Sequence, residues 1–181
     1  QVEFNPAKVQ AYRLIGYENR MLNKEDFNDD KKDAGEIGAG HTVTALYEVI
    51  PVGMKRDFVK AVDRLKYQKT ANVSENNSED LFTVKLRYKN PDEEESRKMT
   101  IAVPDNDEDW KDASENFKLA AAVAEFGMVL RNSEYKSKAS YEQAQAIAKT
   151  AKGIDENGYR SEFTDLIKAA KNLGSRLDDY Q

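Results

Sequence analysis

The 181-residue chain is acidic, with a net charge of −5, and contains 39% hydrophobic and 34% charged residues. This balance predicts a soluble globular protein and argues against nucleic-acid binding, because no run of clustered Lys and Arg provides a basic stripe. Cysteine is absent, which excludes disulfides, thiolate metal sites and thiol nucleophiles, and no apolar run approaches the ~20 residues that span a bilayer.

Strand patterning begins at the first residues of the chain. The segment Val2–Phe4, ahead of an Asn-Pro pair, is typical of the end of a strand, so we expect the chain to be a piece of a longer protein. Two-residue periodicity predicts further strands over Val9–Tyr17 and Thr42–Ile50. Residues 23–34 between them are polar and acidic, which indicates an irregular connection.

A hairpin is predicted further along. Leu81–Lys89 and Lys98–Val103 alternate apolar and polar residues, and Asn90–Asp92 between them provides a turn signal. One apolar face on each strand predicts that the hairpin is buried on one side. Before it, residues 55–69 fit either a helix or a short strand, and residues 71–80 are typical of a mobile loop.

After Pro104 the hydrophobic period changes to that of helices. Three helices are predicted, over about residues 113–132, 140–153 and 159–177. The first carries apolar residues on two opposite sides, which predicts burial between two layers. The side chains predicted to cap the first two helices belong to Asp112 and Ser140.

These elements predict an α+β fold. Residues 1–104 form an antiparallel, β-sandwich-like part, and residues 105–181 form a three-helix unit. We expect the helical unit to pack against the β part in one compact domain.

The glycine-rich segment Gly35–His41 is one candidate site. The order of its glycines differs from the dinucleotide and P-loop patterns, and a strand is predicted after it instead of the helix that phosphate binding needs. We interpret it as a bend that leads into a sheet. His41 is the only histidine, so a metal-binding histidine pair is excluded, and no G-x-S-x-G motif supplies a nucleophile.

The acidic segment Asp105–Asp109 is the other candidate. It is similar to a calcium loop, but Trp110 and Asn116 stand where an EF-hand needs Gly and Glu. Two alternatives remain open: a hydrolase or carbohydrate-active domain using loop carboxylates near Trp110, and a calcium-modulated module built on the acidic segment. No residue is assigned as catalytic, metal-binding or cofactor-binding, and no cofactor is expected.

Several segments resemble the region after the metal-binding domain in a group of bacterial von Willebrand factor type A domain proteins. In that group an acidic stretch like Asp26–Asp30 stands between the second and third of these segments. They are V-E-F-N-P (Val2–Pro6), Y-R-L-I-G-Y-E-N-R (Tyr12–Arg20), G-E-I-G-A-G-H-T-V-T-A-L-Y-E (Gly35–Glu48) and L-x-x-V-K-L-R-Y-K (Leu81–Lys89).

The resemblance implies an uncharacterised domain of a cell-envelope protein, often a lipoprotein, that lies in the periplasm or faces the cell surface. It also implies a type A domain upstream in the same protein. The metal-binding D-x-S-x-S pattern of that domain does not occur in this chain, so its metal site cannot be assigned to any residue here. We therefore predict a non-catalytic accessory or protein-interaction domain that braces the type A domain. Its expected partners are that domain and an unidentified envelope protein.

Overall fold

The computed structural model describes residues 1–17, 21–32, 35, 37–38, 40–54, 78–106 and 108–178, with Lys24 and residues 175–178 described by their backbone alone. The chain divides into two compact units, Gln1–Asp107 and Glu108–Gln181. Antiparallel sheets form the first unit and three helices form the second, so the predicted α+β arrangement is confirmed. The predictions for residues 55–69 and 71–77 lie outside the described residues.

The described residues of the first unit form five strands. They are β1 (Val2–Phe4), β2 (Val9–Ile15), β3 (Leu46–Pro51), β4 (Asp80–Tyr88) and β5 (Arg97–Pro104). Within the described part of the chain, β1, β4 and β5 form an antiparallel sheet with β4 in the centre, and β2 pairs with β3 in a second antiparallel sheet. A 3-10 turn over Lys24–Asn28 follows β2.

Two strands are shorter than the sequence pattern predicts. β2 ends at Ile15 instead of Tyr17, because Gly16 and Tyr17 have φ angles of 77° and 59°, which lie outside the strand region. Ile15 pairs with Leu46 in the last rung of the β2–β3 ladder. β3 therefore begins at Leu46 and not at Thr42, since β2 offers no partner to the four residues before Leu46.

The predicted hairpin is confirmed, with β4 and β5 as its strands. Its register pairs Leu86 with Met99 and Val84 with Ile101. Because directly opposite residues of an antiparallel pair place their side chains on the same face, these four side chains share one face of the sheet.

An aromatic cluster centred on the buried Phe4 joins the two sheets. Its ring centroid lies 4.4 Å from that of Tyr12 on β2, 5.4 Å from that of Tyr47 on β3 and 5.6 Å from that of Phe82 on β4. These are the distances of packed aromatic pairs. The predicted burial of the apolar hairpin face is therefore correct at the Phe82 end, but wrong nearer the hairpin turn, where apolar side chains are exposed.

Asn5, which follows β1, is buried and forms hydrogen bonds through its side chain and its backbone. Its Nδ2 donates to the carbonyl oxygen of Asp80 at 2.8 Å, and its Oδ1 accepts from the backbone N–H of Ala7 at 3.0 Å. Its carbonyl oxygen accepts from the N–H of Val9 at 2.8 Å. One residue thus joins the end of β1 to the starts of β2 and β4.

Three helices build the second unit: α1 (Glu115–Leu130), α2 (Tyr141–Thr150) and α3 (Tyr159–Asp178). Their bounds lie within a few residues of the predicted ones. None of the described helices is long and apolar enough to span a membrane.

The N-caps of the first two helices are both serines. Ser140 caps α2 as predicted, since its hydroxyl accepts a backbone N–H of the first turn at 3.1 Å. The prediction that Asp112 caps α1 is wrong. Ser114 caps that helix, accepting a backbone N–H at 3.1 Å, because a 3-10 turn occupies Trp110–Asp112 and displaces the start of α1.

The core of the helical unit consists of aromatic rings and alanines. The ring centroid of Phe126 on α1 lies 5.7 Å from that of Phe163 on α3 and 6.1 Å from that of Tyr141 on α2. The small alanine side chains let α2 approach both neighbours closely. The buried residues of this core are Ala122, Phe126, Ala144, Ala148 and Ile167.

Within the helical unit, the core uses one of the two apolar sides of α1. The core takes up the side of α1 that carries Ala122 and Phe126, whereas Phe117, Val123 and Leu130 are about half exposed. Within the unit, each helix buries a single stripe against its neighbours. On α3, the apolar side chains of Tyr159, Leu166 and Leu173 are exposed.

Candidate functional site

The glycine-rich segment forms a turn and does not begin a helix. The carbonyl oxygen of Gly38 accepts the backbone N–H of His41 at 3.1 Å, and Gly40 adopts a φ of 78° that favours glycine. The His41 side chain is exposed, and the next regular element is β3, beginning at Leu46. The segment therefore lacks the helix N-terminus that a phosphate-binding loop requires.

The first and last residues of the acidic segment Asp105–Asp109 form specific contacts. Asp105 forms an ion pair with Lys8 at 3.3 Å, and its backbone N–H donates to the carbonyl oxygen of Glu79. Asp109 caps the following 3-10 turn by accepting the N–H of Lys111 at 3.2 Å. Nowhere among the described residues do three Asp, Glu or His side chains gather as a metal site. The calcium-modulated alternative thus gains no support from this segment.

Trp110 packs against the first turn of α1. Its ring lies 6.0 Å from that of Phe117 in an edge-to-face arrangement, and 47% of the residue is exposed. The neighbouring Asp109 forms an ion pair with Lys111 at 3.3 Å. This arrangement accounts for Trp110 as a structural contact, and the hydrolase alternative gains no support from it.

A polar cluster that the sequence analysis missed lies beside the hairpin turn. Arg87 on β4 donates to Asn28 Oδ1 at 3.0 Å and to Ser96 Oγ at 3.0 Å, and it forms an ion pair with Asp30. Asp30 also accepts the Ser96 hydroxyl at 2.6 Å, and its backbone carbonyl accepts Lys89 Nζ at 3.0 Å. The loop after β2 that contains Asn28 and Asp30 is thereby fixed to the turn end of the hairpin.

This cluster has a structural role, because its hydrogen bonds and ion pair hold two segments of the chain together. The hydrogen bond from the Ser96 hydroxyl, helped by the charge of Arg87, lowers the pKa of Asp30 and keeps its carboxylate ionised. Each charged group of the Asp30–Arg87 pair is held by several partners. No spacing rule could have found the cluster, because Asp30 and Arg87 are 57 residues apart in the chain.

One apolar surface of the first unit is the part of the hairpin that the aromatic cluster leaves uncovered. Leu86, Tyr88, Met99 and Ile101 are between 42% and 51% exposed. The strand register places them on one face, since Leu86 lies opposite Met99 while Tyr88 and Ile101 flank that pair. Grouped apolar exposure of this kind marks an interaction site more often than isolated exposed residues do. We refer to these four residues as the hairpin face.

Comparison with known proteins assigns the family. The family described as "Uncharacterized protein YfbK, C-terminal" matches residues 1–173. The chain is 40% identical over 180 residues to a protein of Escherichia coli (strain K12) described as "Uncharacterized protein YfbK"; the match covers 96% of this chain and 29% of that protein. The chain thus spans less than a third of this relative's length, and no solved structure matches it. It belongs to the family of YfbK C-terminal domains.

Proposed function

We propose that the chain is a non-catalytic accessory domain that binds and braces a von Willebrand factor type A domain of the same protein in the bacterial cell envelope. The proposal extends the resemblance of its opening segments and of Leu81–Lys89 to the region that follows such a domain. The match covers only 29% of the Escherichia coli relative, so that protein is long enough to contain a further domain.

The hairpin face is the observation that carries the proposal. An isolated sheet with one apolar side gains free energy when that side is covered, by about 25 cal/mol for each Å² of apolar surface removed from water. The polar cluster of Asp30, Arg87 and Ser96 holds the adjacent loop and hairpin end in one arrangement. The face is therefore preorganised, which reduces the entropy lost when a partner binds.

The test joins this domain to the type A domain that the proposal places before it. The double variant Met99→Glu with Ile101→Glu puts two carboxylates on the hairpin face at exposed positions. We expect the type A domain to melt about 2–4 °C lower in this variant, and by a similar amount when the accessory domain is deleted. A lost brace of about 1 kcal/mol shifts the melting temperature of a domain of about 150–250 residues by this amount.

The matched control is the double variant Ile154→Glu with Leu173→Glu, which places the same charges at exposed apolar positions of the helical unit. It should leave the melting of the type A domain unchanged. The proposal is contradicted if the hairpin variant, with the accessory domain still folded by circular dichroism, also leaves that melting unchanged.

A further inference from the structure

β5 is a long edge strand that is open along one side. It pairs with β4 through residues 97–104, and the described part of the chain places no strand on its other side. Seven of its eight residues are exposed. Such an edge presents backbone N–H and C=O groups to another strand, and proteins usually cover or interrupt it.

The direction of these backbone groups follows from the bonds on the opposite side of β4. Gln1 and Lys85 exchange two backbone hydrogen bonds, of 2.9 and 2.8 Å, so both main-chain groups of Lys85 point toward β1. Thr100, which lies opposite Lys85, is then in a non-hydrogen-bonded pair and directs its own N–H and C=O away from β4. By the same alternation, Lys98 and Ala102 also direct theirs outward.

These three outward residues are equally spaced, and Thr100 is in the middle. A two-fold axis at Thr100 pairs it with Thr100 of a second chain and pairs Lys98 with Ala102 of that chain. All of the outward groups then meet outward groups, giving three hydrogen-bonded pairs with two bonds each. Pro104, which cannot donate, lies beyond the last of these pairs and interrupts nothing.

The side chains in this register are compatible as well. Met99 of one chain lies opposite Ile101 of the other in a non-hydrogen-bonded pair, where side chains approach most closely. Lys98 of each chain faces Ala102, and the two lysines are ~14 Å apart along the strands, beyond the Debye length at physiological salt. No like charges are opposed. The hairpin faces of the two copies also lie on the same side of the joined sheet.

We propose that two copies of the chain associate through β5, antiparallel and with Thr100 on the two-fold axis, to form a continuous sheet of six strands. The occupant of the edge is a second copy because the register matches outward backbone groups, apolar side chains and charges with their own symmetry mates. The pairing uses the strand edge together with the contact of Met99 with Ile101 across the axis, whereas the proposed brace uses the exposed surface of the hairpin face. Thr100 lies on the opposite face of the sheet, so its variants test the pairing separately from the brace.

Sedimentation velocity over a concentration series tests the pairing. The wild-type chain should reach twice the mass of one chain. Thr100→Pro removes an outward N–H without touching a bond to β4, a position where an edge strand tolerates proline. It should weaken dimerisation about tenfold or more, because two symmetric hydrogen bonds of about 1 kcal/mol each are lost.

Charge pairing tests the position of the axis. Thr100→Lys and Thr100→Glu each oppose two like charges across it, so each should dimerise less than the wild type, and an equimolar mixture of the two should recover dimers. Thr83→Lys, the same change on the same face of the central strand, should leave the dimerisation constant within about twofold.

Three results would overturn the proposal. They are a wild-type chain that stays monomeric at millimolar concentration, dimers that persist in both folded Thr100 charge variants, and an equimolar mixture that does not recover association. Recovery in the mixture alone identifies the β5 pairing, because a structural defect at Thr100 would not be corrected by a second defective chain.

Discussion

At the scale of single residues, two buried polar side chains hold separate parts of the chain. Asn5 links three segments of the first unit through its amide and its backbone. Glu125 on α1 is 8% exposed, and its Oε1 accepts the backbone N–H of Ser140 at 3.2 Å, which ties α1 to the start of α2. Neither residue lies in a pattern that periodicity reveals, since both depend on segments distant in the sequence.

Asn5→Ala should lower the free energy of unfolding of the first unit by about 2–3 kcal/mol, because the Asp80 carbonyl and the Ala7 N–H both lose their partner. Thermal melting followed by far-ultraviolet circular dichroism measures the change. Asn23→Ala is the matched control: its exposed side chain donates a hydrogen bond to the carboxylate of Asp26, so the loss should stay below about 0.5 kcal/mol. Equal losses in the two variants would refute the role of Asn5.

Glu125→Gln tests the burial of a charge. Burial raises the pKa of Glu125, although the Ser140 N–H opposes the change. A carboxyl with a raised folded pKa contributes stability that is present at low pH and is lost as the pH rises through that pKa. Glutamine keeps the acceptor and removes the titration. The variant should therefore be at least as stable as the wild type at pH 7.

Urea unfolding of the wild type and of Glu125→Gln at several pH values tests this prediction. Urea unfolding midpoints of the wild type should fall, relative to those of Glu125→Gln, as the pH is raised from acidic to neutral. A difference between the two chains that stays constant with pH would show that the Glu125 carboxyl is not strained by burial.

At the scale of elements, Arg160 connects all three helices. Standing in the first turn of α3, it donates to the carbonyl oxygens of Ala151 and Lys152 after α2, at 3.1 and 3.3 Å, and to Asn116 Oδ1 on α1 at 2.7 Å. Gly153, with a φ of 50°, turns the chain away after α2 so that these carbonyls can be reached.

Arg160→Lys should destabilise the helical unit by about 1–2 kcal/mol, because an ammonium group cannot reproduce the forked donors that reach two helices at once. Urea denaturation monitored by Trp110 fluorescence reports on this unit. Lys111→Arg, which keeps an exposed ion pair with Asp109 in the same unit, is the control and should change stability by less than about 0.5 kcal/mol. The assignment is wrong if lysine at position 160 is tolerated equally well.

A substitution of Asp30 tests how the loop after β2 is attached to the hairpin. Its lowered pKa means that it contributes stability above the usual aspartate range, and that this contribution is lost as the pH falls through the folded value. Asp30→Asn should therefore reduce stability at neutral pH and bring no further loss from this group on acidification. Parallel acid-unfolding curves for wild type and variant would contradict the assignment.

At the scale of the whole molecule, the elements could be predicted but several of their buried faces could not. The alternation in Leu81–Lys89 and Lys98–Val103 predicts the β4–β5 hairpin, and Ser140 marks the start of α2, because these signals are local. Burial depends on what each face meets. The hairpin is covered only where Phe4 and its aromatic neighbours reach it, and Asp112 loses the cap of α1 to Ser114 through an unpredicted 3-10 turn.

In the hairpin face too, the sequence predicts the local structure but not the burial. The sequence identifies the apolar residues of the hairpin and predicts their common face, but it predicts that face to be internal. Their exposure emerges only from the three-dimensional arrangement. The second sheet packs against Phe4, which in turn contacts Phe82, whereas Leu86 and Met99 remain exposed. The sequence pattern alone therefore misses a surface that indicates a partner.

Methyl NMR gives a direct test of the proposal that the hairpin face binds a type A domain. Unlabelled type A domain is added to the chain carrying labelled Leu, Ile and Met methyl groups. If the hairpin face is the binding surface, the methyl signals of Leu86, Met99 and Ile101 should shift or broaden on binding. Those of Ile154 and Leu173 in the helical unit should stay unchanged. Unperturbed hairpin methyls at saturating type A domain, or changes confined to the helical unit, would contradict it.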